Sequence, residues 1–262
     1  MPELRIFQVD AFTESVFTGN PAAVCPLDDW LDDRVMQAIA EENNLAETAF
    51  FVQRGDEYDL RWFTPRFEVN LCGHATLASA YVIFNVLGTS QDTVRFETRS
   101  GTLEVRREGD LFVMDFPALP PTECPDPPAA LLAGLGLLPT EVLWAPDDYV
   151  AVYESEQAVL DLQPNLSRLE ELQSRGVVVT AQGVGVDFVS RYFAPSFGIP
   201  EDPVTGSTHC MLVPYWAERL GTMQFHARQL SKRGGDLFCE LHGDRISIAG
   251  HAVLYLKGSI CV

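Results

Sequence analysis

Arg61-Trp62-Phe63-Thr64-Pro65 runs into Cys72-Gly73-His74-Ala75 and then into an apolar stretch that closes on Leu87-Gly88. Further along, Arg191-Tyr192-Phe193-Ala194-Pro195 runs into Thr205-Gly206-Ser207-Thr208 and an apolar stretch that closes on Leu220-Gly221. The interval from Gly73 to Gly88 equals that from Gly206 to Gly221. A match at fixed lag points to a duplicated unit; here the unit reads strand, proline-bearing loop, glycine, apolar helix. Two such units facing one another would place two glycine-led helix starts across a shared cleft, and the chemistry is expected there.

A chain of 262 residues and 29.0 kDa has room for two domains, each burying its own core. Pro117 to Pro128 contains six prolines and almost no periodicity, so it reads as the linker between halves 1–117 and 118–262. The last strand, about 252–262, is a candidate to return to the first half. Lys plus Arg number 18 against 37 Asp plus Glu, a net charge of −19. That field repels phosphate backbones and anionic membranes, which argues against nucleic acid and membrane as partners. An anionic substrate must then be captured by local dipoles or a few aimed donors.

Met1-Pro2-Glu3-Leu4-Arg5 reaches polar residues at once and reads as no secretory leader, and no segment offers the roughly 18 uninterrupted apolar residues of a membrane span. The six cysteines, at 25, 72, 124, 210, 239 and 261, show no C-x-x-C and no histidine at metal-ligand spacing, so they read as reduced cytoplasmic thiols and no metal is expected. Gly134-Leu135-Gly136 and Gly183-Val184-Gly185 lack the third glycine and the strand-helix setting of a dinucleotide site. No cofactor is expected.

Alternation marks a strand over Leu4–Phe12, and Gly19-Asn20-Pro21 is a turn before the apolar run 22–25. Asp28 and Asp29 are read as opening a helix with Leu31, Val35 and Ile39 on one face. Strands follow from Glu47 to Val52 and Leu60 to Phe63, then a helix from about Gly73 to Leu87, then strands 94–97, 101–106 and 111–116. The second half shows strands near 149–152, 177–181 and 188–193, a helix over Gln163–Gln173 and another over Ser207–Leu220. Strands outnumber helices, and each half holds one apolar helix that its sheet can wrap, the pattern of a mixed α+β pair.

Unpaired amides and the helix dipole behind Gly73 and Gly206 form a natural carboxylate or oxyanion site. His74 titrates near neutrality and can shuttle a proton or orient a carboxylate; its plainer reading is a ring bonded to a backbone carbonyl. Asp202 can orient His74 or act as an acid, or it can simply cap the turn before Pro203. Ser207 reads as a helix cap. Glu47 stands at a helix-to-strand junction among neutral neighbours, which suits a general base if it is desolvated and a surface glutamate if it is not. Cys72, beside a helix start, is a candidate thiolate, but Thr205 at the matching place cannot answer it.

Val9-Asp10-Ala11-Phe12-Thr13, Gly19-Asn20-Pro21-Ala22-Ala23-Val24, Asn44-Leu45-Ala46-Glu47-Thr48-Ala49-Phe50, Arg61 to Pro65, Leu71-Cys72-Gly73-His74-Ala75-Thr76-Leu77-Ala78 and Glu201-Asp202-Pro203-Val204-Thr205-Gly206-Ser207 resemble, in order, the signature blocks of the phenazine biosynthesis PhzF-like family. The resemblance implies a diaminopimelate epimerase-like fold: two pseudo-symmetric halves, each a curved, mostly antiparallel sheet around a central helix, commonly as a homodimer. It also implies cofactor-independent proton transfer. In the phenazine enzyme of that family a glutamate isomerises trans-2,3-dihydro-3-hydroxyanthranilate, and Glu47 falls on that position. The expected catalytic set is Glu47, His74 and Asp202. Cys72, Gly73, Ala75, Thr205, Gly206 and Ser207 are the expected contacts to a small anionic or amino-acid-like substrate. Ala46 and Thr208 depart from the usual serine and alanine, and Gln229-Leu230 with Arg233-Gly234-Gly235 matches the later substrate loop only loosely. An amino-acid racemase or epimerase, or a binding protein that kept the fold without the chemistry, are the alternatives.

Overall fold

A computed structural model describes residues 3–262; Met1 and Pro2, the start of the stretch read for a leader, lie outside the described residues. The fold is mixed α+β. In chain order its first elements are β1 (Glu3–Ala11), β2 (Asn20–Leu27), α1 (Asp33–Asn43), β3 (Glu47–Arg54), β4 (Glu57–Phe63), β5 (Glu68–Val69), α2 (Gly73–Tyr81) running into a π-helical turn (Val82–Leu87), β6 (Thr93–Thr98), β7 (Gly101–Glu108) and β8 (Leu111–Pro117). They are followed by β9 (Thr122–Glu123), α3 (Ala129–Leu135), β10 (Glu141–Ala145), β11 (Asp148–Val152), α4 (Glu156–Asp161), α5 (Leu166–Leu169), β12 (Gly176–Gln182), β13 (Phe188–Ala194), β14 (Ile199–Asp202), α6 (Gly206–Leu220), β15 (Gln224–Gln229), β16 (Gly235–His242), β17 (Arg245–Gly250) and β18 (Ala252–Cys261). Two compact units result: one runs to Asp115 and takes in Ala249–Val262, the other is Phe116–Ile248.

In the first unit β1 pairs antiparallel with β18 and with β2, β2 runs parallel to β3, and β3 is antiparallel to β4. A parallel neighbour cannot be reached by a hairpin, so α1 makes the crossover. Its Met36, Ile39 and Ala40 pack with Ala23, Cys25, Phe50 and Val52. The helix begins at Asp33 rather than at Asp28 or Asp29, because Asp32 is the residue whose carboxylate accepts the Arg34 amide at 2.9 Å. α2 packs on β1, β2 and β3 and is buried from His74 to Ala80. Small side chains let the sheet approach it. Its hydroxyls bond inward, Thr76 Oγ1 to Cys72 O at 2.6 Å and Ser79 Oγ to Ala75 O at 2.7 Å.

In the second unit β10 is antiparallel to β11, β11 parallel to β12, β12 antiparallel to β13, and β13 parallel to β15. Of the expected helix over Gln163–Gln173 only the short α5 forms, capped by Asn165; α4, capped by Ser155, lies before that range. Pro164 disfavours helix at the residue before it, which separates them. The proline-rich stretch read as a linker is tied down. β9 pairs with β10, and Leu119 N donates to Cys210 O at 2.8 Å. Pro214, inside α6, has no N–H for the carbonyl four residues earlier, and that carbonyl belongs to Cys210. β10 and α3 were not anticipated.

The equal intervals have a backbone cause. Gly88 closes the π-helical turn at φ +79° and Gly221 closes α6 at φ +66°, a region where a side chain is penalised. The first helix reaches its closing glycine through a π turn and the second through a proline. Among the described residues no helix is long and apolar enough to cross a membrane.

His209, fully enclosed in α6, donates through Nδ1 to Thr205 O at 3.0 Å, and burial pulls its pKa down to about 4. The unfolded chain therefore binds a proton that the folded chain refuses, and stability falls as pH drops from about 6.5 to about 4, by roughly 3 kcal/mol in all. Urea midpoints across that window are expected to fall less steeply for His209→Gln than for the natural chain.

Candidate active site

Asn44 adopts a left-handed backbone at φ 49° and ends α1, its amide returning to Ala40 O at 3.2 Å. The chain turns there and Glu47 becomes the first residue of β3, opposite Ala22 of β2. Asn20 heads β2, and His74 is the second residue of α2. These three elements bring Glu47, His74 and Cys72 together with relative exposures of only 8 %, 5 % and 7 %. Glu47 Oε2 lies 3.0 Å from His74 Nε2. On the ring's other side Nδ1 meets Asn20 Nδ2 at 3.2 Å and Cys72 Sγ at 3.5 Å. Neither the surface reading of Glu47 nor the backbone-carbonyl reading of His74 describes this arrangement.

Burial works against a charged His74, but the Cys72 sulfur and the Glu47 carboxylate outweigh it and hold the ring well above its ordinary range. Of these two the carboxylate is the partner that acts near neutrality. Burial first, and then the charge of Glu47, push the Cys72 thiol up to about 11, so the sulfur keeps its proton. The expected thiolate is thus overturned: enclosure outweighs the helix start, even with the Ala75 amide hydrogen-bonded to the sulfur. The Glu47 carboxyl group, an imidazole of raised proton affinity and a thiol that keeps its proton stand in a row.

The ligand-type atoms of Glu47, Cys72 and His74 all lie within 4.8 Å of one another. The imidazole nevertheless stands between the other two with one nitrogen toward each. One ion would have to choose a nitrogen, and with it one neighbour, unless a side chain turned. As placed, the row suits passage of a proton better than three-point ligation.

In the second unit Asp202 ends β14, beside Glu201, whose carboxylate takes both Nε and Nη2 of Arg191 at 2.7 and 3.1 Å. Thr205, not Ser207, is the residue at the N-cap of α6. Its hydroxyl donates to Asp202 Oδ2 rather than accepting a helix amide. Gly206 opens the helix, and among the described residues the Ser207 hydroxyl has no hydrogen-bond partner, so the cap reading of Ser207 fails.

The family model of phenazine biosynthesis-like proteins matches residues 9–258. The chain belongs to that family. Two proteins of Pseudomonas aeruginosa described as uncharacterized isomerases are 55% and 52% identical to it, each over 98% of this chain and 99% and 98% of their own lengths. The crystal structure of a phenazine biosynthesis protein of the PhzF family from Enterococcus faecalis superposes with a TM-score of 0.96 at 45% identity, covering all of both chains.

Two residues of this family member escaped the sequence reading as site groups. Asn20 was seen only as part of a turn, although a polar residue heading an apolar strand is a usable signal. Gln229, fully buried at the end of β15, was seen only as a loose motif match, and nothing local announces its burial.

If Glu47 helps hold the His74 pKa up, its removal leaves burial opposed only by Cys72. A nitrogen-detected NMR titration is expected to find the His74 pKa well above 6.5 in the natural protein and lowered in Glu47→Gln; an unchanged value would break the assignment.

Proposed function

We propose that the protein is a cofactor-independent isomerase that moves a proton on a small carboxylated substrate, similar to trans-2,3-dihydro-3-hydroxyanthranilate isomerase. The buried row of Glu47, His74 and Cys72 carries this reading. A carboxylate enclosed beside an imidazole can accept a proton from carbon and hold it away from water. The electron pair left behind moves into the substrate's diene or carboxylate, and the proton returns at another carbon. Nothing is oxidised or reduced and no group leaves.

Amides at the start of α2 are the proposed anchor for the substrate carboxylate and for charge that develops as the proton departs. A Cβ placed on Gly73 would meet nothing within 4 Å, so the space over this helix start is open to a ligand. Gly206, Ser207 and Asp202 are further proposed substrate contacts, with Asp202 receiving an amine or hydroxyl. Acid/base catalysis of this kind supplies about 10²–10⁴-fold; positioning and exclusion of water supply the remainder. The same reading assigns the protein to the cytoplasm as a homodimer of pseudo-symmetric subunits.

With trans-2,3-dihydro-3-hydroxyanthranilate in deuterated water, the natural protein is expected to convert the compound, and Glu47→Gln to lose turnover by at least about 10²-fold while its melting temperature still rises with the compound. Near-natural turnover by that variant would sink Glu47 as the base. Gly73→Ala fills only open space, so its unliganded stability should match the natural protein while ligand-induced stabilisation shrinks.

A further inference from the structure

Gln229 has no solvent-exposed surface, and its amide reaches across to the loop between β14 and α6. Its Oε1 accepts the Thr205 backbone N–H at 2.8 Å. A backbone N–H can only donate, so this contact fixes which way the amide faces. Nε2 must then lie on the other side, where it donates to Asp202 O at 2.8 Å and to Thr205 Oγ1 at 3.2 Å. With one donor already pointed at Thr205 Oγ1, the hydroxyl's own proton goes to Asp202 Oδ2. The chain of donors runs one way, from Gln229 through Thr205 to the Asp202 carboxylate.

We propose that Gln229 is a positioning residue that, through Thr205, commits Asp202 to the role of hydrogen-bond acceptor for a substrate amine or hydroxyl. The inference rests on the proposed isomerase function and narrows its substrate to one carrying an N–H or O–H donor as well as a carboxylate. It also separates the two halves of the repeat by role. Thr205 stands where the first half has Cys72, and its proton is already given to Asp202, so it has none to offer a substrate.

Two measurements test this. The first needs no substrate: hydrogen exchange at the Thr205 amide, followed by NMR, is expected to be at least about tenfold faster in Gln229→Leu than in the natural protein, because the acceptor of that N–H is gone. The second uses trans-2,3-dihydro-3-hydroxyanthranilate. Gln229→Leu and Thr205→Val are expected to raise KM about 10- to 100-fold with a smaller change in kcat, while Thr205→Ser, which keeps the hydroxyl, stays near the natural value. Melting temperatures above the assay temperature confirm that each variant is folded. Natural exchange at Thr205 in Gln229→Leu would overturn the clamp whatever the activity. A natural KM in both Gln229→Leu and Thr205→Val, with Glu47→Gln inactive, would overturn the orienting role and leave the isomerase reading standing. If the natural protein does not turn the compound over, that result counts against the isomerase reading, and the exchange measurement still decides the clamp.

Discussion

A helix covered along its length must find protein partners for every polar group it carries, and α2 is such a helix. From His74 to Ala80 it has no wet face. Thr76 and Ser79 solve the problem within the helix by bonding to carbonyls one turn back. An imidazole at the second position cannot do the same, since it projects beyond the first turn, and it must be met from the strands. Glu47 and Asn20 meet it, and both are placed by β2: Asn20 starts that strand and Glu47 starts its parallel neighbour. The parallel pair demands the α1 crossover, and α1 demands the left-handed Asn44 that turns the chain into β3. Much of the first unit can be read as what it takes to bury one histidine beside one carboxylate.

The repeated Arg-aromatic-Phe motif has a similar logic. Arg61 forks onto Glu68 at 2.7 and 2.8 Å and lies over the Phe63 ring at 5.2 Å. Arg191 forks onto Glu201 and lies over Phe193 at 4.9 Å, and it further donates to Val159 O and Leu162 O, at the end of α4. In each unit the fork fastens the short strand that leads into the glycine-led helix. Bidentate geometry constrains direction as well as distance. Arg61 and Glu68 are only 17% and 13% exposed, and each has a second partner, Asp33 at 2.9 Å and Arg99 at 2.8 Å, so the fork is part of a four-residue network. The motif is therefore scaffold, and it delivers Cys72 and Asp202 to their places without touching a substrate.

What could be read in the sequence follows from how local its causes are. The two helix starts and their closing glycines were legible because a left-handed terminus selects glycine at a fixed position. Most strands are legible from alternation and apolar runs, whereas the junction leaves Glu47 open between a base and a surface residue and only the family resemblance favours the base. The start of α1 was misplaced because three candidate capping aspartates precede it and only geometry shows that Asp32 holds an amide. The helix read over Gln163–Gln173 is too long at both ends, since Asn165 is the cap that starts α5 and the helix stops at Leu169. The proline-rich segment was taken for a linker because its anchor is a carbonyl released by Pro214, some ninety positions on. The protonation of Cys72 was misjudged for a related reason: the helix start is visible in sequence, whereas enclosure and the neighbouring Glu47 charge come from the fold.

The two buried histidines form an internal comparison. His74 and His209 lie near the starts of the two long apolar helices, and each is enclosed. Burial alone acts on His209 with only a carbonyl to oppose it, and its pKa falls to about 4. His74 suffers the same desolvation and moves the other way. The difference between them is what faces the ring: the Cys72 sulfur beside Nδ1 and a carboxylate 3.0 Å from Nε2. In a chain of net charge −19 a cation is easily attracted to the surface, but surface charge is screened over about 10 Å and His209 shows that it does not reach the core. The raised proton affinity of His74 is therefore a local property, made by the groups that face its ring.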